Sequence, residues 1–133
     1  MVRPVLLGPW RAAWIAGALA AAGTAVPAVG QAPVTVAAFL ARTSALKAKG
    51  FAALFSPELK ALRDLGAAAG AEYRARLAQE RAAGRPSSCP PAKVKIGSDQ
   101  FLAHLESYPA PARERTTLSM AVADLFVRTW PCR

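Results

Sequence analysis

The chain contains a single histidine and only two cysteines among 133 residues. Little is left from which to build a metal centre or a histidine-based catalytic set. Charged residues are also scarce, at 19%, against 53% hydrophobic residues, a balance too apolar for a disordered chain. No stretch is greasy enough to suggest a protein with several membrane spans. There is no internal repeat and no CxxC pair. The one strand-like alternation, Lys93-Val94-Lys95-Ile96, covers four residues and reads as an extended link.

The first 30 residues differ from the rest. Arg3 and Arg11 are the only charges before Arg42, and a run rich in small apolar residues follows them, from Ala12 through Trp14, Ile15, Leu19 and Val26 to Val29. A basic start, an apolar middle and small residues at the end form a secretory signal peptide. Ala28 and Gly30 fit positions −3 and −1 of a cut after Gly30, whereas a cut after Ala32 would set Pro33 beside the scissile bond. The expectation is a signal peptide over residues 1–30 and one domain over residues 31–133. With no Arg-Arg pair the general secretion route is expected, and with no cysteine after the apolar run there is no lipoprotein anchor. The alternative is an uncleaved anchor, since the uncharged run is long enough to span a bilayer, although Pro27 interrupts it. Only through that segment would the chain meet a membrane core.

The net charge is +9. Two of the 17 basic residues precede residue 31 and none of the 8 acidic ones does, so the exported part carries +7. Such a domain favours an acidic protein, an anionic cell-wall polymer or a lipid surface. Export to the periplasm removes nucleic acid from the expected partners.

The pattern of residues 31–133 is helical throughout. Thr35 can cap a helix reaching about Lys49, with Val36, Phe39, Leu40, Thr43 and Leu46 on one face and Gly50 at the left-handed stop. A short turn, Phe51 to Phe55, is expected to present Phe51, Leu54 and Phe55 to the core. Ser56-Pro57-Glu58 is a strong helix start for a long helix reaching about Ala83, stopped by Gly84-Arg85-Pro86. Its apolar stripe is Leu59, Leu62, Gly66, Ala69, Tyr73 and Leu77, and the small residues Gly66, Ala69 and Gly70 would let another helix approach closely. Residues 84–97 form a linker. Ser98 is read as the cap of a short helix to about Tyr108 with Phe101, Leu102, Leu105 and Tyr108 inward. Pro109 and Pro111 then open one last helix that buries Leu118, Val122, Leu125, Phe126 and Trp130 and stops at Pro131. The fold class is therefore all-α, a small bundle of about four helices.

Cys89 and Cys132 are an even pair in an oxidising compartment, which reads as one disulfide. Redox thiols or metal ligands fit poorly with a 43-position separation and one histidine. His104 is the only conventional general base, but no serine sits in a nucleophile elbow, and the simpler reading is a partly exposed surface histidine. Paired carboxylates are a third route to chemistry. Here Glu72 and Arg76, and Asp124 and Arg128, are four apart and read as solvated ion pairs. No enzyme and no cofactor are expected. On the long helix, Lys60, Arg63, Arg74 and Arg81 fall within about 60° of one another at the helical angle per residue. This stripe reads either as a ridge for an anionic or protein partner or as arginine stems covering the edge of the core. Arg85-Pro86-Ser87-Ser88-Cys89-Pro90-Pro91 is a stiff connector.

The C-terminal half carries a further pattern. Cys89-Pro90-Pro91 precedes a short helix ending Tyr108-Pro109, Arg113 opens the next, and Trp130-Pro131-Cys132 ends it. This order resembles the Rap/Tai-type family of immunity proteins of type VI secretion, over residues 89–132. The resemblance implies a small, exported, disulfide-bonded α-helical protein that binds and blocks a cell-wall-degrading amidase effector in the periplasm, often as a dimer. Only Cys89 and Cys132 carry over. The family's expected second cysteine pair around the first two helices is missing here.

The expected function is thus a non-enzymatic, exported, protein-binding domain, in the form of an immunity-type inhibitor of a periplasmic amidase. The alternative is a basic envelope-binding module for an anionic wall polymer or lipid surface.

Overall fold

The computed structural model describes residues 32–133; the expected signal peptide over residues 1–30 lies outside the described residues. Helix α1 spans Val36–Lys47, α2 Pro57–Ala82, α3 Ser98–Glu106, α4 Ala110–Arg113 and α5 Leu118–Thr129, with a 3-10 turn at Gly50–Phe55. The all-α bundle with one disulfide is what the periodicities predict. Lys93–Ile96 forms no strand, and Val94 and Ile96 pack half-buried against the core.

Local chemistry sets most boundaries. The Thr35 hydroxyl accepts the Ala38 N–H at 3.2 Å, and the Ser56 hydroxyl accepts the Glu58 N–H at 3.3 Å. Each satisfies a donor that the first turn of a helix leaves free. Gly50 and Gly84 take φ of 56° and 71°, the left-handed region where a side chain is strained. They end α1 and α2 accordingly. At α3 the cap is Gly97 rather than Ser98, which is already the first helical residue.

The single last helix expected from the sequence is two. After the short α4, the backbone at Thr116 and Thr117 leaves the helix and forms an antiparallel bridge with Thr35. The Val36 N–H donates to the Thr116 carbonyl and the Leu118 N–H to the Val34 carbonyl, both at 2.8 Å. Thr35 and Thr117 are the caps of α1 and α5. One bridge therefore satisfies the first N–H of both helices; a helix continuing through residue 117 would satisfy Leu118 internally but would take the Thr116 carbonyl from Val36.

Helix α2 packs on α1 and α5, α3 also packs on α1 and α5, and α1 meets α5. Tyr73 of α2 lies 4.8 Å from Phe126 of α5, ring centre to ring centre, and Leu105 and Val36 are completely buried. Each such aliphatic or aromatic side chain contributes about 1.5–3 kcal/mol by leaving water.

The 3-10 turn departs from expectation. Side chains three apart eclipse in this geometry. Ala53 takes the inner position against the core, so Phe51 and Leu54 share the outer one. Phe51, Leu54 and Phe55 are 78%, 61% and 79% exposed, and the two phenyl rings meet edge to face at 5.7 Å.

Candidate functional site

The disulfide joins Cys89 to Cys132 with a Cα–Cα distance of 4.9 Å. It belongs to a tie that fastens the linker to the rest of the bundle. The Cys89 N–H donates to the Trp130 carbonyl at 2.8 Å. The buried Ser88 hydroxyl pairs with the Tyr73 hydroxyl, and the Ser87 N–H donates to Glu80 at 2.8 Å. Hydrogen bonds from Ser87 and the nearby Arg76 guanidinium hold the Glu80 carboxyl below the usual carboxylate range.

His104 is half-buried, with its ring turned inward. Its side chain is 8% exposed, and its ring nitrogen Nε2 sits 3.0 Å from the Ala121 carbonyl of α5. With Nε2 protonated it donates there, joining α3 to α5. Tyr108 completes the cluster by donating to Asp124 at 2.7 Å, and Arg128 donates to the other Asp124 oxygen at 3.0 Å. Burial pushes the Asp124 carboxyl up, but the bonds from Tyr108 and Arg128 and the charges of Arg128 and His104 outweigh it, leaving the group below its usual range. Burial, and then the Asp124 bond, push the Tyr108 hydroxyl well above an ordinary phenol. Among the described residues no serine or cysteine side chain is bonded to the His104 ring. The arrangement is a polar cross-link between helices. Among the described residues no three His, Cys, Asp or Glu side chains gather into a metal-binding group.

The four cations of the α2 stripe make different local contacts. Lys60 pairs with Asp64 at 2.5 Å. Arg81 reaches the Pro90 carbonyl at 3.5 Å. Arg63 and Arg74 alone line a common feature, a cleft of about 450 Å³. One expected ion pair also differs. Asp124–Arg128 forms, but Arg76 turns to Glu80 at 3.2 Å and covers the Tyr73 ring, while Glu72 accepts from Ser119 of α5. Glu72 thereby gains a contact to another helix, while Arg76 keeps an i,i+4 pair within α2, a type worth only about 0.3–0.5 kcal/mol.

The cleft lies between α2 and α3. Its α2 wall carries Leu59, Leu62, Gly66 and Gly70, its far wall Phe101 and Leu102 of α3, and Val94 and Ile96 of the linker form a lip. Of the small residues on the α2 stripe, Ala69 is buried in the core, whereas Gly66 and Gly70 line the cleft. A Cβ on Gly66 would meet only the Phe101 ring, at 4.0 Å, and one on Gly70 only the Arg74 guanidinium, at 3.5 Å. They leave space instead.

Two features escape sequence reasoning. The apolar knuckle of Phe51, Leu54 and Phe55 looks like core because it is apolar; its signal is a turn too short to bury three large side chains on one side. The cleft announces itself only as two glycines on an apolar stripe. No protein-family model, curated protein or solved structure matches the chain.

Proposed function

We propose that the chain is an exported, non-enzymatic binding domain that docks a protein partner through the knuckle of Phe51, Leu54 and Phe55. The observation that supports this is the exposure of three adjoining large apolar side chains on one projecting turn. Apolar patches with polar rims mark interaction surfaces, and paired aromatic side chains are the usual anchors. Lys47 and Lys49, both exposed, supply a basic edge. The nearest acid, Glu58, is bonded by Arg42 at 2.6 Å, a contact that lowers its carboxyl pKa. The complementary surface is an apolar pocket with an acidic rim. The resemblance of residues 89–132 to Rap/Tai-type immunity proteins makes a periplasmic cell-wall amidase the partner to test first, with the domain as its inhibitor.

The test starts from the full chain, tagged at its C-terminus in its native host, with identification of the envelope proteins that co-purify. Purified partner and chain should form a stoichiometric complex that lowers hydrolase activity. Phe51→Asp with Phe55→Asp should abolish the complex, and His104→Gln should leave it intact. A complex that survives both aspartates refutes docking by the knuckle. Sedimentation at rising concentration checks self-association, and a dimer lost with the same two aspartates would make the partner a second copy of the chain.

The second reading is a basic envelope-binding module. It draws support from Arg63 and Arg74, which have no carboxylate partner among the described residues. Retention on cell-wall material or anionic vesicles should then fall steeply with salt and with charge reversal at Arg63, Arg74 and Arg81.

A further inference from the structure

We propose that the cleft between α2 and α3 is a binding site for a single-chain fatty acid, its alkyl tail among the apolar walls and its carboxylate at the arginine edge. This goes beyond the proposed docking function and uses none of the knuckle residues.

Volume comes first. A cleft of about 450 Å³ lies within the roughly 300–1,000 Å³ of small-molecule sites, which are mostly apolar with a few placed polar groups. Among the described residues no side chain fills it, because Gly66 and Gly70 stand where larger side chains would. Its walls offer Phe39, Leu62, Phe101, Val122 and Phe126 to an alkyl chain. Charge decides the rest of the ligand. No acidic residue lines the cleft, whereas Arg63 and Arg74 both do. Neither arginine has an ion-pair partner among the described residues. Exposed Lys93 and Lys95 alternate with Val94 and Ile96 along the lip, and the charged residues that line the cleft are both arginines. An apolar slot with an unpaired cationic edge fits an amphiphile with one anionic end. The lip also offers an entry path. Residues 92–96 make no backbone hydrogen bond among the described residues, so Val94 and Ile96 hold it by packing alone.

The test is calorimetric titration of the purified full chain with octanoate, decanoate, dodecanoate and dodecanol below their micelle or solubility limits. Affinity should rise about fourfold per added methylene until the cleft is full. Dodecanol should bind about tenfold or more weaker than dodecanoate, because it lacks the charge that the arginines bond. Arg63→Glu and Arg74→Glu should weaken dodecanoate and leave dodecanol unchanged. Gly66→Leu should block both ligands by occupying the cleft. Should that variant fail to fold, the two surface reversals still decide. Equal binding of alcohol and acid, no dependence on chain length, or binding lost with Phe51→Asp and Phe55→Asp but not with Gly66→Leu would each overturn the assignment. The last two variants also separate this site from the docking reading.

Discussion

Replacing both Cys89 and Cys132 by alanine tests how the bundle is held. The bond closes a loop with a sequence separation of 43, and that loop contains α3, α4 and α5. In the chain-entropy treatment, a loop of about 44 residues removes unfolded-state freedom worth roughly 4 kcal/mol at 25 °C. That is a large share of the ~5–15 kcal/mol that holds a typical domain. In the folded state little should change. The Cys89 N–H to Trp130 carbonyl bond, the packing of Trp130 on Phe126 at 5.1 Å and the Ser88–Tyr73 pair all hold the linker in place without sulfur. The loss therefore falls on the unfolded chain. At about 4–5 °C per kcal/mol for a domain of about this size, Tm should drop by roughly 16–20 °C. Urea unfolding should show a lower midpoint and a somewhat larger m-value, because the released chain exposes more surface. Stopped-flow kinetics should show slower folding with the unfolding rate nearly unchanged. A ΔΔG under about 1 kcal/mol, or a loss expressed wholly as faster unfolding, would refute the loop-entropy account and make the bond part of native packing.

Three further outcomes are expected. Gly66→Ala should stabilise the domain by about 0.8–1 kcal/mol, the helix-propensity difference, because its methyl would meet only the Phe101 ring at 4.0 Å; a destabilised variant by thermal melting would show that the cleft wall has no room. His104→Ala should cost about 1–3 kcal/mol by removing the part-buried bond to the Ala121 carbonyl, with His104→Gln recovering part of it, and an unchanged melting curve for the alanine variant would show that this bond does not hold α3 to α5. The Asp124, Glu58 and Glu80 carboxyls are all lowered in the folded state, so their contribution is complete above the unfolded carboxylate range, about pH 4–5, and is lost as pH falls through the lower folded values. Tm should hold steady down to about pH 5 and decline below about pH 4, and Asp124→Asn should shrink that decline.

The helices were legible because their signals are local. Thr35, Ser56, Gly50 and Gly84 act through the backbone within a few residues of themselves, and stripes such as Leu62, Ala69, Tyr73 and Leu77 need only the helical period to find one face. The disulfide was legible by arithmetic, since two cysteines allow one pairing.

Other features depended on residues far apart in the chain. The break between α4 and α5 exists because the segment around Thr35 lies beside Thr117, a neighbour more than 80 positions away that no window of sequence contains. His104 faces inward because Ala121 presents a carbonyl to it. Glu72 is bonded by Ser119 of α5, and Arg76 pairs with Glu80 instead. Phe51 and Phe55 are as apolar as any core residue, and only the choice of Ala53 as the inward side chain of a tight turn put them outside. The stripe of cations on α2 was visible at 100° per residue, yet which of them would share a cleft was set by where α3 and the linker came to rest. Periodicity fixes the face of a helix on which a residue lies; the elements that meet that face, and therefore whether it becomes core, cleft or exposed surface, are decided only when the helices pack.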